Sequence, residues 1–96
     1  MSSRTPEECI ELALAADAAE GTRLDAIREL KTANECDELE GLVRNSNLDE
    51  QYRRVALESV ATSQCESTLR ELVDADCLEE PLRGEAESLL ASVDDE

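Results

Sequence analysis

Four cysteines, twenty-five carboxylates and eight arginines are the side chains that could do chemistry in this 96-residue chain, and there is no histidine. Cys9, Cys36, Cys65 and Cys77 form no C-x-x-C pair. A zinc site would therefore need thiolates from four separate places, with no close pair to begin it. Cys9, Cys36 and Cys65 fall on apolar faces of expected helices, where cysteine acts as a small hydrophobe. Buried, reduced thiols are the expected state, with a disulfide or a metal site as the alternatives. Without histidine, acid–base work would fall on carboxylates or thiols, and a cysteine nucleophile would lack its usual base. The three glycines are isolated, so no phosphate-binding loop is present. Asp74-Ala-Asp76, followed by Glu79 and Glu80, has neither the glycine nor the length of a calcium loop. The inventory predicts no enzyme, no catalytic residue, no cofactor and no metal.

Charge narrows the partners. The formal net charge is −16, and Lys31 is the lone lysine. Such an acidic excess repels nucleic acid and anionic membrane at ordinary salt. Arginines are not interleaved with aromatics, since Tyr52 is the single aromatic residue, which also speaks against nucleic acid. The acid-rich, lysine-poor composition resembles proteins of salt-loving archaea. In molar salt the Debye length shrinks to roughly 3 Å, and the surface charge is then a solvated coat. The apolar run at residues 10–19 is broken by Glu11 and Asp17 and lacks a basic flank, so it does not read as a targeting segment. No stretch approaches the ~20 apolar residues of a membrane span. A soluble, cytoplasmic protein is expected.

The elements that must position these groups are repeated. Moved thirty places, the sequence superimposes on itself: Arg23, Arg53 and Arg83 align, as do Ala26, Ala56 and Ala86, and Leu30, Val60 and Leu90. Leu39 aligns with Leu69, Leu42 with Leu72, Val43 with Val73 and Leu48 with Leu78. A fixed period of this length marks a repeat array. Thr5-Pro-Glu-Glu8 is a capping box with proline at the first helical position, and it opens a helix expected over residues 6–19, with Gly21 as its stop. Further helices are expected over residues 22–33, 35–44 with Asn34 as cap, 50–61, 64–74 with Ser63 and Glu66 as a second capping box, and 81–93. Short connections make neighbouring helices antiparallel. The predicted fold is all-α: one domain over residues 1–96, built as an α-solenoid of three helical hairpins at about 6–33, 35–62 and 64–93.

The run D/E-x-x-R-x-x-A-x-x-x-L followed by a shorter L-x-x-L-V helix resembles HEAT-like repeats. Glu50-Gln-Tyr-Arg53-Arg-Val-Ala56 and Glu80-Pro-Leu-Arg83-Gly-Glu-Ala86 carry it best. The period is that of the short variety found in phycobilisome lyases and many prokaryotic proteins. The resemblance covers nearly the whole chain and implies fold far more than function. It implies that the second helix of each hairpin lines a concave face. It also implies an inter-unit ladder of acid and arginine, met here by Glu20/Arg23, Glu50/Arg53 and Glu80/Arg83. Metal binding through His-Glu pairs, found in some relatives, does not transfer to a chain without histidine, and lyase activity belongs to particular larger members and does not transfer either.

Departures from the repeat point to the individual surfaces. Glu87 stands where Ile27 and Leu57 stand in the earlier units. A polar residue there suits a terminal repeat with no further hairpin to meet. Ile10 and Leu14 align with Glu40/Arg70 and Arg44/Asp74, positions otherwise polar. Four apart, they share a helix face. That stripe either docks a partner or a second copy, giving a homodimer through the first helix, or packs more deeply than its counterparts. On the presumed concave face, Arg28, Val55, Ser59 and Leu89 are the candidate contacts, among small hydroxyls and scattered charges. The function expected is a non-enzymatic protein–protein interaction module, an adaptor or scaffold. The alternative is an accessory or regulatory subunit of an enzyme whose catalytic residues lie on another chain.

Overall fold

The computed structural model describes residues 5–75 and 78–94, so Asp76 and Cys77 lie outside the described residues. The described chain is all-α, with six α-helices and no strand: α1 (Pro6–Leu14), α2 (Glu20–Thr32), α3 (Cys36–Arg44), α4 (Glu50–Ser59), α5 (Glu66–Asp74) and α6 (Leu82–Asp94). A 3₁₀ turn at Ser63–Cys65 leads into α5.

The thirty-residue period is kept in three dimensions. The first helices of the hairpins begin at Pro6, Cys36 and Glu66 and end at Leu14, Arg44 and Asp74, each thirty apart. The turns that follow α1 and α3 repeat bond for bond. Ala15 N–H donates to Leu12 O and Ala18 N–H to Ala15 O. Thirty residues on, Asn45 N–H donates to Leu42 O and Leu48 N–H to Asn45 O. Each helix thus packs antiparallel against the next, as α1 on α2, α3 on α4 and α5 on α6. Hairpins then stack through α2 on α4, α3 on α5 and α4 on α6. Molecular extents of 36 × 26 × 18 Å fit that side-by-side, solenoid-like order.

One apolar core runs through all three hairpins, from Cys9 and Ala13 through Ile27, Leu30, Leu39, Leu42, Leu57 and Val60 to Leu69, Leu72, Leu82 and Ala86. With one aromatic in the chain, helix surfaces approach closely through alanine: Ala13, Ala26, Ala56 and Ala86 are all buried. Glu87 is exposed, whereas Ile27 and Leu57 at the equivalent positions are fully buried.

Four expectations are corrected. The first helix stops at Leu14, not near residue 19, and Gly21 lies inside α2. Alanine's helix propensity is overridden here by the turn that the repeat imposes. Asn34 does not cap α3. It sits at φ 58° just beyond α2, where Glu35 N–H donates to Leu30 O and Asn34 N–H to Lys31 O. That pair of bonds is a Schellman motif, whose left-handed residue is usually glycine and sometimes asparagine. The cap of the turn before α5 is Thr62, whose hydroxyl accepts from Cys65 N–H, rather than Ser63. Finally, Cys36 and Cys65 are joined by a disulfide, with Cα atoms 5.6 Å apart. The expected pair of reduced thiols is thus replaced by a bond between the starts of α3 and α5. Apolar periodicity placed both residues correctly and said nothing of the register that brings them together. Cys9 is buried and takes no part in that disulfide.

Candidate partner-binding surfaces

The arginine ladder is the internal frame on which the surfaces rest, and it differs from the expected one. Arg23 Nε donates to Ala13 O at 3.0 Å, and Arg53 Nε donates to Val43 O at 2.9 Å. Both acceptors lie in the last turn of the preceding helix, where carbonyls lack intrahelical partners. A guanidinium there also meets the negative end of the helix dipole. These arginines therefore cap the first helix of their own hairpin. The expected acidic partners are used elsewhere. Glu50 pairs with Arg54 at 2.9 Å, and the Glu80 carboxylate accepts from Gly84 N–H at the start of α6.

The bridge between units falls one residue later. Arg54 Nε lies 2.9 Å from Glu85 Oε2, joining α4 to α6. Partial burial pushes the Glu85 carboxyl above its ordinary range, Arg54 pulls it down, and the neighbouring Glu58 carboxyl pushes it up again, leaving a net rise. Sequence alignment could not find this bridge, because Arg54 occupies a position held by Leu24 and Gly84 in the other units.

The six candidate contact residues divide into three groups. Leu14 is exposed, at 41% of its full surface. It borders a shallow hollow of about 260 Å³ with Ala16, Arg23, Asn45, Asn47, Leu48 and Asp49. Ile10 is half-buried against the core, beside Glu7, Glu11 and Glu38. The stripe is thus split: one end packs inward and the other stays open. On the second helices, Arg28 is exposed and reaches Asp25 at 3.5 Å. Val55 and Leu89 are half-buried and pack on the core. Ser59 is 4% exposed, and its hydroxyl donates to Val55 O at 2.7 Å, so it is occupied within its own helix.

A pocket that sequence reasoning did not single out opens at the other end of the first hairpin. It holds about 360 Å³ and is lined by Pro6, Cys9, Glu29, Leu30, Thr32, Ala33 and Glu35. The Cys9 thiol points at Glu29 Oε1 at 4.0 Å, a weak sulfur hydrogen bond. Among the described residues no group of three His, Cys, Asp or Glu side chains could hold a metal, and no helix is long and apolar enough to cross a membrane.

Neither protein-family models, nor curated proteins, nor solved structures give a match to this chain. The described chain is all-α, three stacked helical hairpins with their candidate contacts on the surface.

Proposed function

We propose that this protein is a non-enzymatic protein–protein interaction module of HEAT-like kind, an adaptor working in the cytoplasm. We place its docking surface at the turn end of the first hairpin. The observation that carries this reading is Leu14. It is an exposed leucine where the second and third hairpins have Arg44 and Asp74. Beside it, Leu48 and the Asn45 and Asn47 side chains form a hollow that an apolar anchor could enter. Interfaces draw most of their energy from a few such anchors set in pockets. The concave candidates offer less, since Ser59 is occupied and Val55 and Leu89 are partly committed to the core. The acidic coat supports a saline cytosol of the kind salt-loving archaea maintain.

The test is affinity capture from the native cells at high salt, using the wild type and Leu14→Glu. A partner retained by the wild type and lost from the variant, with thermal unfolding unchanged, supports the surface. Equal retention by both proteins rules it out. Light scattering on the same pair identifies a second copy as the occupant if the wild type is a dimer and the variant a monomer. An enzyme as the reproducible partner would define the protein as an accessory subunit.

A further inference from the structure

The Cys36–Cys65 bond lies where the array is thinnest. The first and second hairpins meet along α2 and α4, with α3 also touching both helices of the first hairpin. Between the second and third hairpins, the described residues supply only slighter contacts, α3 on α5 and α4 on α6. The disulfide crosses this junction on the α3–α5 layer, and the Arg54–Glu85 pair crosses it on the α4–α6 layer. The ion pair is half-buried, with 40% of the Arg54 and 25% of the Glu85 side chain exposed, so salt still weakens it in part. The covalent link is thus the stronger of the two specific ties.

We propose that Cys36–Cys65 is a redox-controlled staple that holds the third hairpin against the second, and that its reduction by a dithiol releases the third hairpin while leaving the first two docked. Two features of the site favour exchange. Cys36 is half-exposed at the first turn of α3, whereas Cys65 is buried at 2%. A dithiol's thiolate can therefore attack the Cys36 sulfur and expel the Cys65 thiolate. The reductant's second thiol then closes on the mixed disulfide and frees Cys36. Two electrons pass to the protein, each cysteine gains a proton, and the dithiol leaves as a disulfide. Cytoplasmic disulfides are commonly transient and redox-sensing, so a bond at a weak junction fits that compartment better than a permanent brace does.

The release is local because of where the bond is anchored. In the antiparallel second hairpin, the end of α4 at Ser59 returns to the level of α3's start, and Cys65 follows six residues later. With the bond formed, the residue immediately before α5 is fixed beside α3. Without it, the third hairpin is held by its buried side chains, among them Leu69, Leu72, Leu78, Leu82 and Ala86, and by the Arg54–Glu85 pair. Elements with fewer buried contacts open first.

Hydrogen exchange read by mass spectrometry on the full chain tests the proposal. Air-oxidised protein, the same protein with dithiothreitol, and the double variant Cys36→Ala/Cys65→Ala are compared. The expected result is exchange at least about tenfold faster in α5 and α6 on reduction, with α1 and α2 changing by less than about twofold. The double variant should match the reduced protein and show no response to dithiothreitol, which separates this bond from Cys9 and Cys77. An equal acceleration of all three hairpins overturns the proposal, as does no change anywhere. So does thiol labelling that finds Cys36 and Cys65 both reduced in the air-oxidised protein. Should the variant fail to fold, the oxidised and reduced wild type still decide between these outcomes.

Discussion

The Arg23 guanidinium carbon stands 4.0 Å from the centroid of the Tyr52 ring, while Nε of the same side chain donates to Ala13 O at 3.0 Å. One residue thus springs from α2, caps the end of α1 and meets α4 of the next hairpin. Burial makes this economical: Arg23 is 8% exposed, so its charge needs both the carbonyl and the ring face to offset lost hydration. Tyr52→Leu, which copies Leu82 of the third hairpin, should destabilise the protein by about 1–2 kcal/mol. Arg23→Ala should cost more, about 2–4 kcal/mol, because it also orphans a buried carbonyl. A double-mutant cycle by denaturant unfolding should give a coupling of about 0.5–2 kcal/mol. A coupling near zero would show that the stacking carries no energy of its own. Arg23→Lys should not restore stability, since an ammonium cannot place one donor on Ala13 and a planar face on Tyr52.

Asn34 gives a backbone prediction. It occupies the left-handed region at φ 58°, and its N–H is already used on Lys31 O. Asn34→Gly keeps the Schellman motif and removes the Cβ penalty, so it should be neutral or slightly stabilising. Asn34→Ala should cost about 1 kcal/mol and Asn34→Val more, since branched side chains resist positive φ. Melting temperatures of the three variants should rank Gly, then Ala, then Val. Equal melting temperatures for Gly and Val would mean that the motif does not constrain the helix end.

The repeat was legible because its apolar positions and its arginines are spaced for a helical hairpin. Those positions, from Leu39/Leu69 to Leu42/Leu72, are buried as the pattern required. The end of α1 is obscured in the sequence because residues 15–19 are mostly alanine, and local propensity favours continuation. The counterpart thirty residues on, Asn45-Ser-Asn47, held the correct signal, and both segments make the same turn bonds. The role of Arg23 and Arg53 was hidden for another reason: a backbone carbonyl has no sequence identity, so an acid three residues away looked like the natural partner. The disulfide was illegible because Cys36 and Cys65 align with Pro6 and Glu35, not with each other. Only the stacking register brings them together. Among the binding candidates, apolar deviation found Leu14, but periodicity could not tell that Ser59 bonds within its own helix.

Glu85 makes stability depend on pH in a defined sense. Its folded-state pKa is raised, first by burial and then by Glu58, against the pull of Arg54. The native state therefore holds this proton more tightly than the unfolded chain does. Stability from this group is fully present below the unfolded glutamate range and is lost as pH rises through the raised folded value. Glu85→Gln removes the titration. Chemical denaturation of wild type and variant across pH 3–8 should show the wild type losing ground to the variant as pH rises through the carboxylate range. A difference that is flat with pH, or that slopes the other way, would mean that the Arg54 pair dominates the site.

The two helical glycines of the later hairpins separate propensity from packing. Gly41 lies inside α3, and a Cβ built there meets no atom within 4 Å. Gly41→Ala should therefore deliver the full helical gain, about 0.8–1 kcal/mol, by lowering the entropy of the unfolded chain. Gly84 lies in the first turn of α6, and its Cβ would come to 3.0 Å from Glu80 Oε1. That oxygen accepts the Gly84 N–H at 3.1 Å. The alanine side chain would push the carboxylate aside and weaken this cap, offsetting the gain in propensity. Gly84→Ala should therefore raise the midpoint of urea unfolding by clearly less than Gly41→Ala does, with the m-value unchanged in both. Removing the carboxylate first, as Glu80→Ala, should bring the two glycine substitutions close to the same gain. If Gly84→Ala stays behind Gly41→Ala in that background, the cost lies in the start of α6 itself and not in the Glu80 contact.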